Sequence, residues 1–133
     1  MKAIKANMTN GLQVGSELEA CDNSGAKVLK VTGVKRKKTV KGRVSGAGVG
    51  DMVIAAVKKG RPDMRKSVVF AVIVRQRREY KRTDGTRVSF EDNAAVVLKD
   101  ENGNPKGTIF KGPIAKEVTS KWPAVAKIAN IIV

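Results

Sequence analysis

The chain contains no histidine and a single cysteine, Cys21, among its 133 residues. Histidine is the usual general base at neutral pH and the commonest transition-metal ligand, so its absence argues against both kinds of site. One cysteine without histidine supplies neither a cysteine–histidine nucleophile pair, nor a zinc site, nor an internal disulfide bond. The sequence therefore predicts a protein that is not an enzyme and uses no metal or cofactor. The unpaired cysteine favours a reducing, intracellular environment and a place in the core.

Long apolar runs are also lacking. No run approaches the roughly 20 residues of a membrane helix, and the N-terminal stretch lacks the apolar segment of a secretory signal. The glycine-rich run GAGVGD, residues 46–51, lacks the Gly-Lys-Ser/Thr ending of a nucleotide-binding loop and precedes a predicted strand rather than a helix. Adjacent carboxyls on a strand point to opposite faces, so Glu91 and Asp92 do not suit a shared acid–base pair.

Aromatic residues are few: Phe70, Tyr80, Phe90, Phe110 and Trp122. The three phenylalanines fall at apolar positions of predicted strands, which favours the core. Tyr80 lies within a basic stretch and is the only candidate to stack on a base. Trp122 either seals the C-terminal helices to the core or anchors a protein contact.

Acidic residues are scarce in one part of the chain. Residues 23–82 hold 18 Lys and Arg against Asp51, Asp63 and Glu79, a net charge of 18 − 3 = +15, whereas the other 73 residues hold nine of each sign. An ordinary solvated surface mixes the two signs, and a single basic flank is typical of a protein that binds nucleic acid. With so few aromatics, we expect contacts to phosphate rather than base readout.

The predicted contact residues are the basic side chains of residues 35–82, Tyr80, and the turn residues expected to approach RNA closely through their backbone. The side chains are Lys35, Arg36, Lys37, Lys38, Lys41, Arg43, Lys58, Lys59, Arg61, Arg65, Lys66, Arg75, Arg77, Arg78, Tyr80, Lys81 and Arg82, and the turn residues are Gly46, Gly48, Gly50, Asp84 and Gly85.

Alternating apolar positions and turn residues predict a chain made mainly of β-strands. The predicted strands are Gly15–Cys21, Val28–Val34, Met52–Lys58, Val68–Val74, Ala94–Lys99 and, after a turn at Asn102-Gly103, Lys106–Phe110. Gly112-Pro113 and Pro123 introduce two short helices. Many short strands and a helical end favour a small closed β-barrel. We expect one domain over residues 1–133, with the barrel at about 12–111 and the helical region at 112–133.

A projecting ribbon is predicted after the strand Val68–Val74. The pair Asp84-Gly85 suits a type I′ hairpin turn between residues 76–82 and 86–90. Five basic side chains occupy both faces of Arg75–Arg82, whereas a strand with one face on a core alternates. We therefore expect this ribbon to stand away from the barrel and to be ordered by RNA.

The stretch Ala71–Val97, AVIVRQRREYKRTDGTRVSFEDNAAVV, resembles the signature of the universal large-subunit ribosomal protein L-fourteen family. The blocks ACDNSGAK, GVGDMV and KGPIAKE resemble further blocks of that family, in the same order. The extension before Gly15, the stretch MRKSVVFAVIVRQR and the Trp122-Pro123 end are similar to the archaeal and eukaryotic branch.

This resemblance implies a five-stranded barrel, a projecting ribbon at Arg75–Phe90 and two short C-terminal helices. It implies a structural constituent of the large ribosomal subunit in the cytoplasm that binds large-subunit ribosomal RNA and neighbouring ribosomal proteins. It also implies contact with small-subunit ribosomal RNA across the intersubunit face, and with the anti-association factor initiation factor six. The residues alone leave open a free, sequence-tolerant RNA-binding or chromatin-associated β-barrel protein.

Overall fold

The computed structural model describes residues 9–35 and 39–133. Its strands are β1 Leu12–Gln13, β2 Glu17–Ala20, β3 Ala26–Val34, β4 Gly46–Ala47, β5 Met52–Gly60, β6 Val68–Arg75, β7 Tyr80–Lys81, β8 Arg87–Val88, β9 Ala94–Leu98, β10 Pro113–Ile114 and β11 Ile131–Ile132. The helices are α1 Lys116–Lys121 and α2 Pro123–Ile128. Neither helix of this described part is long or apolar enough to cross a membrane.

Five of the strands close into a barrel in the order β2-β3-β5-β6-β9. All neighbours in the barrel are antiparallel except β2 and β9, which pair in parallel and close it. The prediction of a mainly β fold with a small closed five-stranded barrel and two short C-terminal helices is confirmed.

Two apolar clusters explain why the central strands are apolar on both faces. Along β6, Ala71 and Ile73 belong to a cluster with the inward side chains of β3 and β5. The alternate residues, Val72 and Val74, pack in a second cluster that includes Val118 and Val125 of the helices. Because alternate side chains of a barrel strand point inward and outward, the first cluster fills the barrel and the second joins its outer face to α1 and α2.

The predicted strand Lys106–Phe110 is not formed, since this part of the described chain makes only isolated bridges, Leu98 with Pro105 and Asp22 with Phe110. The prediction that Pro113 opens a helix is also wrong. Pro113 lies in β10, which pairs in parallel with β11, and α1 begins only at Lys116.

The ribbon hairpin forms, but its paired part is shorter than predicted. Only Tyr80–Lys81 and Arg87–Val88 pair. The turn is not type I′, because that turn needs positive φ at both central residues and here Gly85 has it (φ 94°) but Asp84 does not. Arg82 N–H donates to Thr86 O and Gly85 N–H to Arg82 O. This is a three-residue loop with glycine in the left-handed position.

Candidate nucleic-acid interface

Nine basic residues predicted from the sequence are exposed and lie at ion-pair distance from no carboxylate of the described chain. They are Lys41, Arg43, Lys58, Lys59, Arg65, Lys66, Arg77, Arg78 and Lys81. We call them the exposed cation set. An exposed charge without an internal partner loses no protein contact when it approaches a phosphate. The set is therefore suited to holding a polyanion.

The hairpin formed by the end of β5 and its connection to β6 carries four of these nine cations: Lys58 and Lys59 on β5, and Arg65 and Lys66 in the connection. Lys66 adopts a left-handed backbone conformation (φ 66°), which is uncommon for a residue other than glycine. Its N–H donates to Val57 O over 3.0 Å, and Val57 N–H donates to Ser67 O over 2.9 Å. The backbone that presents the cations is thus fixed by the strand ends.

The glycine-rich run is packed against protein rather than presented at the surface. Gly48 and Gly50 are buried, and a Cβ on Gly48 would lie 2.9 Å from Thr9 O. Gly48 N–H donates to an Asp51 carboxylate oxygen over 2.8 Å, and Val49 N–H donates to the Gln76 side-chain carbonyl over 3.0 Å. Gly48 and Gly50 are therefore packed inside the fold, and their close approach to RNA stays a prediction. Gly46 is half-buried.

The base of the ribbon is tied to the fold, contrary to the expectation that the whole ribbon stands away. Arg75 is 7% exposed and Gln76 is fully buried. The Arg75 guanidinium donates to both carboxylate oxygens of Asp92, over 2.9 and 3.1 Å, and to the carbonyls of Lys111 and Pro113, over 3.0 Å each. These contacts use the Arg75 charge within the protein, and an RNA contact by Arg75 stays a prediction.

Tyr80 is also taken into the core, so it is not available to stack on a base. Its ring is fully buried, and its hydroxyl donates to Glu117 over 3.1 Å. Burial, more than any neighbouring charge, raises the pKa of Tyr80 to about 12. Arg82 donates to the other Glu117 oxygen over 2.8 Å and to Val133 O over 2.5 Å. The ribbon tip, with Asp84 and Gly85, is exposed.

Two further predicted cations, the half-buried Lys35 and the exposed Arg61, have acidic neighbours. Lys35 lies 3.3 Å from Glu101 and 5.5 Å from the centre of the Phe70 ring. Arg61 lies 3.8 Å from Asp63. Arg36, Lys37 and Lys38 lie outside the described residues.

Trp122 belongs to the core, as the first of its two alternatives predicted. The side chain is 3% exposed, and its indole N–H donates to Gly50 O over 2.8 Å. Phe110 is buried, while Phe70 and Phe90 are partly buried against the same cluster, which agrees with their assignment to the core.

Two exposed lysines that the sequence did not single out, Lys27 and Lys111, line a cleft together with Arg61. Lys111 lies in the part of the chain that holds equal numbers of basic and acidic residues, so the charge pattern of the sequence does not predict it as an RNA contact. Only the fold brings it to the basic segment.

Within residues 9–35 and 39–133, no group of three or more acidic or cysteine side chains could hold a metal ion. The exposed lysine and arginine side chains of these residues supply positive charge, which suits the binding of an anion rather than acid–base or nucleophilic chemistry.

Comparison with known proteins identifies the family. The family model described as Ribosomal protein L14p/L23e matches residues 11–133. The protein named "Large ribosomal subunit protein uL14" in Nanoarchaeum equitans is 53% identical over 133 residues, which is all of both chains. The protein of the same name in Picrophilus torridus is 50% identical, again over the full length of both. The chain therefore belongs to the ribosomal protein L14p/L23e family, in agreement with its resemblance to the archaeal branch, and is a structural, non-enzymatic constituent of the large ribosomal subunit.

Proposed function

We propose that the chain binds large-subunit ribosomal RNA directly through its exposed cation set. The observation that carries this proposal is that nine predicted cations are exposed without a carboxylate partner in the described chain. Binding rests on phosphate contacts, because Tyr80, the aromatic side chain within the basic stretch, is buried.

The buried base of the ribbon supports a particular role for its outer cations. Tyr80 and Arg82 both hold Glu117 of α1, so the strand that follows Arg77 and Arg78 is fixed before RNA arrives. A contact surface that is ordered in advance loses less conformational entropy on binding. We propose that Arg77, Arg78 and Lys81 form the RNA-facing side of the ribbon.

The ribosomal assignment extends the proposal to further partners. These are neighbouring large-subunit ribosomal proteins, small-subunit ribosomal RNA across the intersubunit face, and the anti-association factor initiation factor six. The support is the family resemblance of the sequence. The proposed place of action is the cytoplasm, on the ribosome.

Sedimentation tests the assembly. The chain is expected to co-sediment with large subunits at near one copy each and to survive a moderate salt wash. A free RNA-binding protein would be washed off, and that result would contradict the proposal.

Charge variants test the interface. Replacing Arg77, Arg78 and Lys81 together with Ala is expected to lower incorporation into large subunits. The matched control replaces Lys99, Lys116 and Lys127, which are also exposed and lie in the part of the chain with balanced charge. Equal incorporation of the two triple variants would show that the placement of charge does not matter.

A further inference from the structure

A cleft of about 260 Å³ lies beside the turn between β2 and β3. Three basic side chains line it: Lys27 on β3, Arg61 just after β5, and Lys111 just before β10. They come from three distant parts of the chain.

Backbone hydrogen bonds bring the three segments together at this turn. Arg61 N–H donates to Gly25 O over 2.9 Å, and Lys111 N–H donates to Cys21 O over 2.6 Å. Lys27 follows the turn directly, at the start of β3. These backbone hydrogen bonds, and not flexible side chains alone, therefore place the three charged residues next to one another.

The guanidinium of Arg61 lies against the turn because residue 25 is glycine. A Cβ at Gly25 would lie 2.4 Å from Arg61 Nε, and the backbone there has a positive φ of 101°. Arg61 Nη2 donates to Ser24 O over 3.1 Å. One side of the guanidinium is therefore held by the turn. A guanidinium held in this way loses less freedom when it binds an anion.

The charge of the cleft is positive and largely uncompensated. Lys27 and Lys111 are exposed and have no carboxylate at ion-pair distance among the residues that the structure describes. The Arg61–Asp63 pair is long, at 3.8 Å, and both side chains are more than 60% exposed. Such an exposed pair contributes little.

Asp22, the acidic residue that lines the cleft, is buried and its carboxylate is occupied. One oxygen accepts a hydrogen bond from the Ser24 hydroxyl over 2.8 Å, and the other from Val97 N–H over 3.0 Å. Even with Asp22 ionised, the lining carries a net charge of 3 − 1 = +2.

We propose that this cleft binds one phosphodiester group of the RNA backbone, an inference that rests on the proposed binding of ribosomal RNA. No aromatic side chain of the described residues lines the cleft, so a stacked base is a poor occupant. The planar guanidinium of Arg61 matches two phosphate oxygens, and the two lysines add point charges around them. This places a phosphate contact outside the ribbon and makes Lys27 and Lys111 RNA-binding residues.

The first test measures binding of the full chain to protein-free large-subunit ribosomal RNA as a function of salt. Replacing Lys27, Arg61 and Lys111 together with Ala is expected to reduce the slope of log affinity against log salt by at least the value for one phosphate contact, about 0.7–0.9. The control triple at Lys99, Lys116 and Lys127 removes the same charge and is expected to change the slope less. Equal slopes for the two variants would overturn the cleft as a site. Thermal midpoints near that of the unchanged chain establish that both variants fold.

The second test is site-resolved. Lysines of the unchanged chain are acetylated with and without the same RNA and identified by mass spectrometry. Lys27 and Lys111 are expected to react more slowly in the complex, while Lys99 and Lys127 react as before. Protection that appears only after other ribosomal proteins are added would indicate a protein partner and overturn the proposal. Loss of all RNA binding by the unchanged chain would instead contradict the proposed function, whereas normal binding without protection contradicts only the cleft.

Discussion

The guanidinium of Arg75 holds the carboxylate of Asp92 with two hydrogen bonds, of 2.9 and 3.1 Å. The same group donates to the carbonyls of Lys111 and Pro113, and it lies so close to Gly112 that a Cβ there would be 2.6 Å from Nη1. Arg75 thus joins the end of β6 to the segment before β9 and to the start of β10. Arg75 is the first residue of a basic run in the sequence, and its side chain holds parts of the fold together.

Arg75→Ala is expected to lower the free energy of unfolding by about 2–4 kcal/mol, because it leaves a carboxylate and two carbonyls without their donor. The expected loss is below that for a fully buried pair, since the Asp92 side chain is 36% exposed. Urea unfolding measures it. Arg77→Ala, an exposed neighbour, is the control and is expected to change stability by less than about 0.5 kcal/mol. Equal stability of the two variants would contradict the structural role of Arg75.

Trp122→Ala is expected to cost about 3–5 kcal/mol of stability, because a large buried side chain is removed from the cluster that joins the helices to the barrel. Trp122→Phe keeps much of the volume but loses the hydrogen bond to Gly50 O, which is worth about 0.5–1.5 kcal/mol. Thermal and urea unfolding of the free chain distinguish the two losses. A nearly unchanged midpoint for Trp122→Ala would mean that the indole does not seal the core.

Sequence patterns predict the barrel strands well because period-two alternation and glycine turns act locally. The ribbon is different. Its basic residues have the same local sequence pattern whether they face RNA or α1. Tyr80 and Arg82 both donate to Glu117, which lies 37 and 35 residues further along the chain. The cleft shows the same limit, since the backbone hydrogen bond from Lys111 to Cys21 O spans 90 residues and brings Lys111 to the turn that precedes Lys27. Local patterns do not contain such long-range contacts, so the sequence alone could not predict that Arg75, Tyr80 and Arg82 hold other parts of the fold.

The thiol of Cys21 is expected to react slowly with disulfide reagents at neutral pH. Its side chain is buried, and burial raises its pKa to about 11. Since the thiolate is the reactive form, a disulfide reagent added at pH 7–8 is expected to label the folded chain far more slowly than the chain in concentrated denaturant. Rapid labelling of the folded chain, at the rate of the denatured one, would show that Cys21 is exposed to the reagent.

Asp22 is expected to give the chain a pH-dependent loss of stability that Asp22→Asn removes. Burial raises the pKa of Asp22 above its ordinary value of 3.8, although Ser24 and Val97 donate hydrogen bonds that act in the opposite direction. The folded chain therefore holds this proton more tightly than the unfolded chain does. Its contribution to stability is present in full below about pH 3.8 and is lost as the pH rises through the raised folded pKa.

Urea unfolding of both chains between pH 4 and 7 measures this effect. The stability of Asp22→Asn relative to the unchanged chain is expected to increase with pH and then to level off, because the amide stays neutral while Asp22 ionises. The amide can also donate to Ser24 Oγ and accept from Val97 N–H. The control is Asp22→Ala, which leaves Val97 N–H without an acceptor and is expected to cost about 1–3 kcal/mol more than Asp22→Asn at every pH. If the relative stability of Asp22→Asn instead fell as the pH rose, ionised Asp22 would be stabilising the fold, and the burial of its carboxylate would not dominate its chemistry.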